Sequence, residues 1–422
     1  MHPSDHYRWT PQVGSANAVR ALALDALRGF AILTMVLSGA IPYRVLPAWM
    51  YHAQLPPPTH AFDPSRPGLT WVDLVFPLFL FSMGAAIPLA LSRRLSAGVS
   101  TLKITLGILE RGLLLFFFAL FLRHVRPHVL NPHPTTTTWG TALLGFVVMF
   151  LTFLRLPQTW PHWARLACRG VGWAGAVSLL AFLRYPDGSG FSLERSDIII
   201  VVLANVAVSG SLLWLITRET LLPRLGVLGV LIALRLAAPE QGWVNWLWHA
   251  TPAPWIYKLY YHQYLFIVIP GTIAGDYLRT HMGQARTAPS NHEVWGMPQR
   301  WGIVSATVSA VVTALVGLQA RWLWQTTAAL SAICLVAALL SKKANSLREQ
   351  MVRSFILWGI YWLVVGLIFE PYEGGIKKDH PTLSYYLVTT GLAFFLLAAF
   401  TILIEMLNKR SWLQVLIDNG QN

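Results

Sequence analysis

Residues 72–92 read VDLVFPLFLFSMGAAIPLALS, a run of twenty-one positions in which Asp73 is the only ionisable side chain. A helix of about 20 mostly apolar residues is long enough to cross the hydrocarbon layer of a bilayer. The run therefore predicts a membrane-spanning helix that begins with a carboxylate. A charge next to hydrocarbon costs roughly 2.5–3.5 kcal/mol even on lenient insertion scales, so such a residue usually takes part in chemistry or transport.

Runs of the same kind recur along the whole chain. Candidate spans lie near 22–42, 72–92, 102–122, 139–155, 170–183, 197–216, 225–238, 263–278, 301–319, 322–341, 354–370 and 384–408. The sequence therefore predicts an all-α polytopic membrane protein with about 11–12 transmembrane helices. We expect one transmembrane domain over residues 1–422, because the connecting loops are too short to fold alone.

The composition excludes a soluble protein. Hydrophobic residues make up 55% of the chain, charged residues only 12%, and the mean hydropathy is +0.51. A soluble domain carries about a quarter charged residues. The net charge of +14 would suit a polyanionic partner, but the basic side chains flank the hydrophobic runs instead of clustering in tails. We therefore predict no nucleic-acid partner.

The distribution of lysine and arginine also predicts an orientation. Basic residues favour cytoplasmic loops, and the alternate loops of this chain carry most of them. We expect a protein of the inner (cytoplasmic) membrane with both termini in the cytoplasm. Residues 1–21 then form a short cytoplasmic segment without an apolar core, so the first span is retained rather than cleaved. The loop 43–71, which carries His52, faces the opposite side.

Two further sets of charged residues lie at or inside predicted spans. Asp25 and Arg28 open the first run, three positions apart, so they share one helix face. A structural ion pair and a component of a site both fit this spacing. Glu110 and Arg111 lie inside the third run. They either pair with each other, or Arg111 reaches a phosphate group of a bound anionic cofactor.

The loop 237–262 is rich in tryptophan and tyrosine. Such residues are typical of an aromatic belt at the membrane interface. Alternatively, their faces form a stacking wall for a sugar ring. In that case Glu240, Asn245 and His249 are candidate contacts for sugar hydroxyl groups.

The sequence predicts no metal site. His124, His128 and His133 share a proline-rich loop that breaks any helix able to align them, and no nearby carboxylate completes a ligand set. Cys168 and Cys334 lie at or near hydrophobic spans and have no metal-ligand spacing.

Two blocks of sequence resemble a known enzyme family. The first combines DALRG at 25–29, the loop residue His52, GLTWVDLVFP at 68–77 and FSMG at 81–84. The second is GGIKKDHPTLSYYLVT at 374–389. Together they resemble the heparan-α-glucosaminide N-acetyltransferase family of transmembrane acyltransferases. The middle of the chain is similar to that family mainly in hydropathy.

The resemblance implies an integral membrane enzyme. Such an enzyme takes an acetyl group from cytosolic acetyl-CoA, its co-substrate, and passes it to an amino-sugar acceptor on the far side of the bilayer. In that family a loop histidine is the central catalytic residue, and His52 occupies its position here. An imidazole removes a proton from an attacking amine at neutral pH or carries the acetyl group itself, and both routes stay open. Asp73, just after the loop, is expected to orient the imidazole.

The chain departs from the animal lysosomal members in two places. Those members carry an asparagine shortly after the Met-Val of the first span, a plausible donor to an oxyanion. Here Met35-Val36-Leu37 runs into Ser38-Gly39, and either the hydroxyl group of Ser38 or the backbone of Gly39 is the expected substitute. The loop after His52 also contains an insertion beginning at 56–60, which leaves acyl transfer credible but puts heparan-type specificity in doubt.

The donor is expected to bind from the cytoplasmic side. Arg28, with Asp25, lies at the cytoplasmic mouth of the first span, and Arg93, Arg94 and Lys103 lie near the same face. A secondary transporter and a non-catalytic envelope assembly protein remain alternatives. The sequence leaves open the acceptor, the acyl chain length of the donor and the oligomeric state, for which a homodimer is one option.

Overall fold

The structure, a computed structural model, describes residues 21–284 and 293–421. The predicted N-terminal segment 1–21 therefore lies outside the described residues, apart from Ala21. The helices of the first half are α1 (Leu22–Ala40), α2 (Trp71–Ser96), α3 (Thr101–His124), α4 (Pro127–Leu130), α5 (Thr136–Phe153), α6 (His162–Phe182) and α7 (Ile198–Thr217). Those of the second half are α8 (Leu222–Ala237), α9 (Trp243–Trp248), α10 (Leu265–Gln284), α11 (Met297–Gln319), α12 (Leu323–Leu340), α13 (Leu347–Ile368), α14 (Leu383–Thr401) and α15 (Gln414–Gly420).

The prediction of an all-α polytopic membrane protein is confirmed. Nine helices of the described residues are long and apolar enough to cross a membrane, namely α1, α2, α3, α5, α7, α11, α12, α13 and α14, the last continued to Met406. The three other predicted runs also form helices, which are α6, α8 and α10. Of these, α8 has only 16 residues. Residues 21–284 and 293–421 contain no β-strand beyond one isolated bridge, between Ala253 and Tyr257.

Helix α14 forms the centre of the helical bundle. All 19 of its residues are buried, and it packs against α13, α11, α1, α2 and α10. Beside it, α2 and α10 approach so closely that a Cβ atom on Gly271 would lie 2.4 Å from the carbonyl oxygen of Phe81. Small residues permit such backbone contact between membrane helices. This packing holds the first residues of α2 and α14 next to each other.

Because successive long helices alternate in direction, the segments 41–70, 238–264 and 369–382 meet at one end of the bundle, which we call the loop end. The backbone N–H of Gly68 donates to the carbonyl oxygen of Ile376 there, at 2.8 Å. The opposite end carries α15, which packs against the start of α1.

Candidate functional site

Asp73 lies buried in the first turn of α2, where it caps the helix. Its Oδ2 atom accepts hydrogen bonds from the backbone N–H and the hydroxyl group of Thr70, each at 3.0 Å, and from the backbone N–H of Ala53 at 3.1 Å. A carboxylate near a helix N-terminus is favoured by the helix dipole. A buried charge also needs several donors to offset its lost hydration. Since Oδ2 takes all three donors, Oδ1 is left for another partner.

That partner is His52, whose Nδ1 atom lies 2.6 Å from Oδ1 of Asp73. The hydrogen bond on one ring nitrogen sets the tautomer, so Nδ1–H donates to the carboxylate and Nε2 presents its lone pair. The loop around His52 is fixed by Tyr51, whose hydroxyl group donates to the carbonyl oxygen of Pro42 at 2.8 Å. The His52 side chain is 31% exposed, whereas that of Asp73 is 2% exposed, so only the imidazole is accessible from outside.

A lysine from the other end of the sequence contacts the same imidazole. The Nζ atom of Lys378 lies 3.2 Å from Nδ1 and 3.3 Å from Nε2 of His52. Because Nζ is almost equidistant from the two ring nitrogens, the ammonium group lies beside the imidazole and is not aligned with the lone pair of Nε2. The pair predicted from sequence, His52 and Asp73, is therefore part of a cluster of three that includes Lys378. Lys378 lies within the second block of sequence that resembles the acetyltransferase family, and no local pattern indicates its role.

A glutamine joins the two segments that carry His52 and Lys378. Gln54, which is 3% exposed, accepts from the backbone N–H of Asp379 at 2.9 Å and donates through its amide to the carbonyl oxygen of the same residue. The hydroxyl group of Tyr385, in the first turn of α14, donates to the backbone carbonyl of Asp73 at 2.9 Å. These contacts hold the segments 41–70 and 369–382 together, and we call the joined segments the wall around the imidazole.

Behind this wall lies a second polar layer built on Arg235, at the end of α8. Its guanidinium group contacts Glu373 at 2.6 Å, the carbonyl oxygen of Pro381 at 2.6 Å, and the side chain of Gln263. Tyr264 packs there too, and burial, together with the nearby charge of Asp379, raises the pKa of its hydroxyl group. This layer connects the segment 238–264 to the site.

The structure does not place Ser38 in this cluster. Ser38 lies near the end of α1 and is partly exposed, and its hydroxyl group donates to the carbonyl oxygen of Met35 at 2.8 Å. Serine in a helix commonly makes this bond to its own preceding turn. The hydroxyl group is thus engaged within α1, and the site gives no support to Ser38 as an oxyanion donor.

Asp25 and Arg28 lie together at the opposite end of the bundle. Their side chains are 3.8 Å apart, and a guanidinium nitrogen of Arg28 donates to the carbonyl oxygen of Gly420 at 3.0 Å. Gly420 lies so close to α1 that an added Cβ would be 1.8 Å from the carbonyl oxygen of Asp25. Arg28 therefore donates a hydrogen bond to a carbonyl group at the C-terminus of α15. No local sequence pattern indicates this contact.

Arg111 lies apart from Asp25 and Arg28. It lines an apolar cavity of about 1400 Å³ between α3 and α5, which we call the α3–α5 groove. Helix α3 packs chiefly against α7, whereas α1 packs against α2, α14 and α15. Arg111 and the pair of Asp25 and Arg28 therefore belong to helices with different main packing partners.

The aromatic segment before α10 is held partly by its own polar side chains. The amide of Asn245 donates to the carbonyl oxygen of Ala238 at 2.7 Å, and the ring of His249 to the carbonyl oxygen of Asn245 at 2.9 Å. Trp243 and Trp246 are mostly exposed. These exposed rings suit an interfacial belt or a stacking surface equally, so the two interpretations remain.

Within residues 21–284 and 293–421, no three histidine, cysteine, aspartate or glutamate side chains are grouped so that they could hold a metal ion. The chemistry available at the loop end is instead that of a carboxylate-held imidazole beside an ammonium group. Such a group can accept a proton from a nucleophile or attack an acyl carbon directly.

Fold and site together define a polytopic α-helical membrane protein with a histidine, aspartate and lysine cluster at one end of its bundle. The chain belongs to the family described as Domain of unknown function (DUF5009), which matches residues 20–278. That range includes His52 and Asp73, while Lys378 follows it. A search of the curated proteins found no match to the chain.

Proposed function

We propose that this chain is a membrane-bound acyltransferase that moves an acetyl group from acetyl-CoA to the amino group of an amino-sugar acceptor. The acceptor reacts at the loop end, on the extracytoplasmic side. The observation that carries the proposal is the 2.6 Å contact between Nδ1 of His52 and Oδ1 of Asp73, which leaves Nε2 as an accessible base. The two blocks of sequence that resemble the acetyltransferase family contain all three members of the cluster.

The proposed reaction begins with the acceptor amine near Nε2 of His52. As the amine nitrogen bonds to the thioester carbonyl carbon, Nε2 takes a proton from it. The carbon–sulfur bond then breaks, and the thiolate of CoA receives that proton from the imidazolium. Amide and free CoA are the products. In the covalent variant Nε2 first attacks the acetyl carbon, the carbon–sulfur bond breaks, and CoA leaves as its thiolate. The amine then attacks the acetyl carbon, the bond to Nε2 breaks, and the proton lost by the amine passes to the thiolate.

Asp73 and Lys378 have separate roles in this scheme. Asp73 holds the imidazole in one tautomer and stabilises the imidazolium that forms. Lys378 lies within 3.3 Å of Nε2, so its ammonium group is next to the reacting carbonyl and stabilises the negative charge on its oxygen. A preorganised donor of this kind is typically worth about 10²–10³ in rate. We therefore assign to Lys378 the role that the sequence had suggested for Ser38.

The donor is proposed to bind at the end of the bundle that carries α15. Arg28 has five N–H donors, and its contact with Gly420 uses only one guanidinium nitrogen. The remaining donors suit a phosphate group of CoA, with Asp25 holding the side chain. From Arg28 to the end of α1 at Ala40 is about 18 Å at 1.5 Å per residue. The pantetheine arm would have to cover this distance to bring the acetyl group towards His52.

A second candidate function, secondary transport, has one observation in its favour. Arg224, which is 2% exposed, pairs with Asp276 at 2.7 Å between α8 and α10, and Trp214 also donates to that carboxylate. Ionisable residues inside a membrane often mark a transport pathway. The pair is also fully explained as a fixed connection between helices, because Thr217 and Thr272 contact the same guanidinium group.

One experiment separates these functions. The protein purified in detergent is incubated with radiolabelled acetyl-CoA and a panel of amino sugars, and the products are identified by mass spectrometry. We expect acetylation of an amino group that depends on the protein. If none of the sugars is acetylated while radiolabelled acetyl-CoA still binds the protein, the acceptor class is wrong. If acetyl-CoA neither binds nor reacts, acetyl transfer is excluded, and secondary transport or a non-catalytic assembly role takes its place.

A further inference from the structure

The α3–α5 groove has the composition of a lipid site. Its walls are apolar along most of their length, with Leu114, Phe118, Phe146 and Phe150 among the lining residues. Phe146 is 71% exposed and Phe150 56% exposed, so the wall on α5 is open to the surroundings of the bundle. Between Arg111 and Leu122 the groove follows α3 for about 16 Å at 1.5 Å per residue. One leaflet of the hydrocarbon layer is about 15 Å thick, so an acyl chain fits along it.

The charges of the groove lie at its ends. Arg111 and Arg155 line one end, and Arg126 lines the other. Arg94, in the last turn of α2, lies close enough for its charge and that of Arg155 to repel the charge of Arg111. A guanidinium nitrogen of Arg94 also lies close to Gly107 on α3, only 3.1 Å from the position that an added Cβ atom would take there.

Three arginines therefore gather at one end of an apolar groove. Among the charges of the described residues that act on Arg111, two are positive, those of Arg94 and Arg155, and one is negative, that of Glu110. Arg111 lies about 15 Å along α3 from Thr101, and residues 97–100, which join α2 to α3, form the nearer face of the bundle. The sequence predicts this face to be cytoplasmic.

We propose that the α3–α5 groove binds an anionic membrane phospholipid, with its phosphate at Arg111 and Arg155 and an acyl chain along the apolar walls. Basic pockets between membrane helices on the cytoplasmic side bind anionic lipid headgroups in this way. The guanidinium fork suits the oxygens of a phosphate, because two parallel N–H donors meet two oxygens. This site is independent of the acyl-transfer site, since none of the groove residues comes from α1, α2, α14 or the segments 41–70 and 369–382.

The test is native mass spectrometry of the full chain in detergent, titrated with dioleoylphosphatidylglycerol or with dioleoylphosphatidylcholine, which has the same chains and no net charge. We expect the glycerol lipid to bind more tightly. The variant Arg111→Gln/Arg155→Gln should lose that preference, by about fivefold for each arginine and about twenty-five-fold together. The control Arg165→Gln/Arg169→Gln removes two arginines from α6 that do not line the groove, and it should retain the preference.

A second variant tests the apolar part. Ala142 lines the groove from α5, so Ala142→Trp should weaken binding of both lipids while the arginines stay in place. Melting temperatures like that of the parent show that each variant is folded. Equal binding of the two lipids by the parent chain, or an unchanged preference in Arg111→Gln/Arg155→Gln, would overturn the proposal. So would a dimer of the parent chain that Ala142→Trp converts to monomer, because the groove would then be occupied by a second copy.

Discussion

The Nδ1 atom of His52 lies 2.6 Å from the Oδ1 atom of Asp73, although the two residues are 21 positions apart and belong to a loop and a membrane helix. The contact depends on the N-terminus of α2, which supplies the donors that hold Oδ2 of the same carboxylate. The capping of one helix thus fixes the orientation of the imidazole. The predictions below test what each neighbour of that imidazole contributes.

Asp73→Asn should lower turnover by about 10²–10⁴-fold, because an amide does not hold the imidazole in the required tautomer or stabilise its charged form. Asparagine has the same shape and still accepts from Thr70, so the variant should fold with a loss of about 1 kcal/mol. Binding of CoA should be retained. The measurement is acetyl transfer at saturating donor, alongside a thermal melt. A well-folded variant that turns over at the parent rate would show that Asp73 only caps α2.

Lys378→Met should lower the rate constant of acetyl transfer by about 10²–10³-fold, as expected for loss of a donor to the developing oxyanion. The control is Lys377→Met, at the neighbouring position. The Nζ atom of Lys377 lies near Gly374. Of the two lysines, Lys378 is the one within hydrogen-bonding distance of His52. Comparing kcat and KM for both variants separates a role in the reaction from a role in binding. An equal loss in the two variants would point to a general electrostatic effect of the loop.

Gln54→Ala should weaken the join between the two segments around His52. The change removes two hydrogen bonds to the backbone of Asp379, an exposed residue, and each such bond contributes about 0.5–1.5 kcal/mol of stability. Displacement of Lys378 by about 1 Å should reduce turnover by about 10²-fold. The control is Gln350→Ala, where an exposed glutamine amide also donates to a backbone carbonyl, that of Asn345. Full activity in Gln54→Ala would show that the segments stay joined without it.

Arg28→Ala should weaken binding of CoA by about tenfold or more, the usual value of a hydrogen bond to a charged group. It should also lower the melting temperature, since Arg28 satisfies the carbonyl oxygen of Gly420. Arg410→Ala is the matched control, because Arg410 is exposed, lies at the same end of the bundle and contacts Gln414. Isothermal titration with CoA measures the affinity. A lower melting temperature with unchanged CoA affinity would leave Arg28 a purely structural role.

Most of the fold could be predicted from hydropathy, because each long apolar run must form a helix in a bilayer. Such a pattern gives the order of the helices but not which helices pack together. The central position of α14 and the docking of α15 on α1 depend on contacts between residues far apart in sequence, such as Arg28 with Gly420. No local pattern indicates those contacts.

The site was predicted only in part. The neighbouring positions of His52 and Asp73 around one loop made their contact foreseeable. Lys378 is 326 positions from His52, and its partner depends on the packing of α14 beside α2. The one available signal was the polar block 377–379, which the predicted topology placed at the same membrane face as His52. Ser38 was chosen by its position in sequence, while its hydroxyl group is engaged within its own helix.

The most direct measurement is the rate of acetyl transfer from radiolabelled acetyl-CoA to excess amino sugar by purified His52→Ala protein. We predict a loss of about 10²–10⁴-fold with CoA binding and melting temperature retained. His249→Ala is the control, because His249 is exposed and its ring donates only within its own segment. It should keep the parent rate. Transfer at the parent rate by folded His52→Ala protein would contradict the assignment of His52 as the catalytic residue.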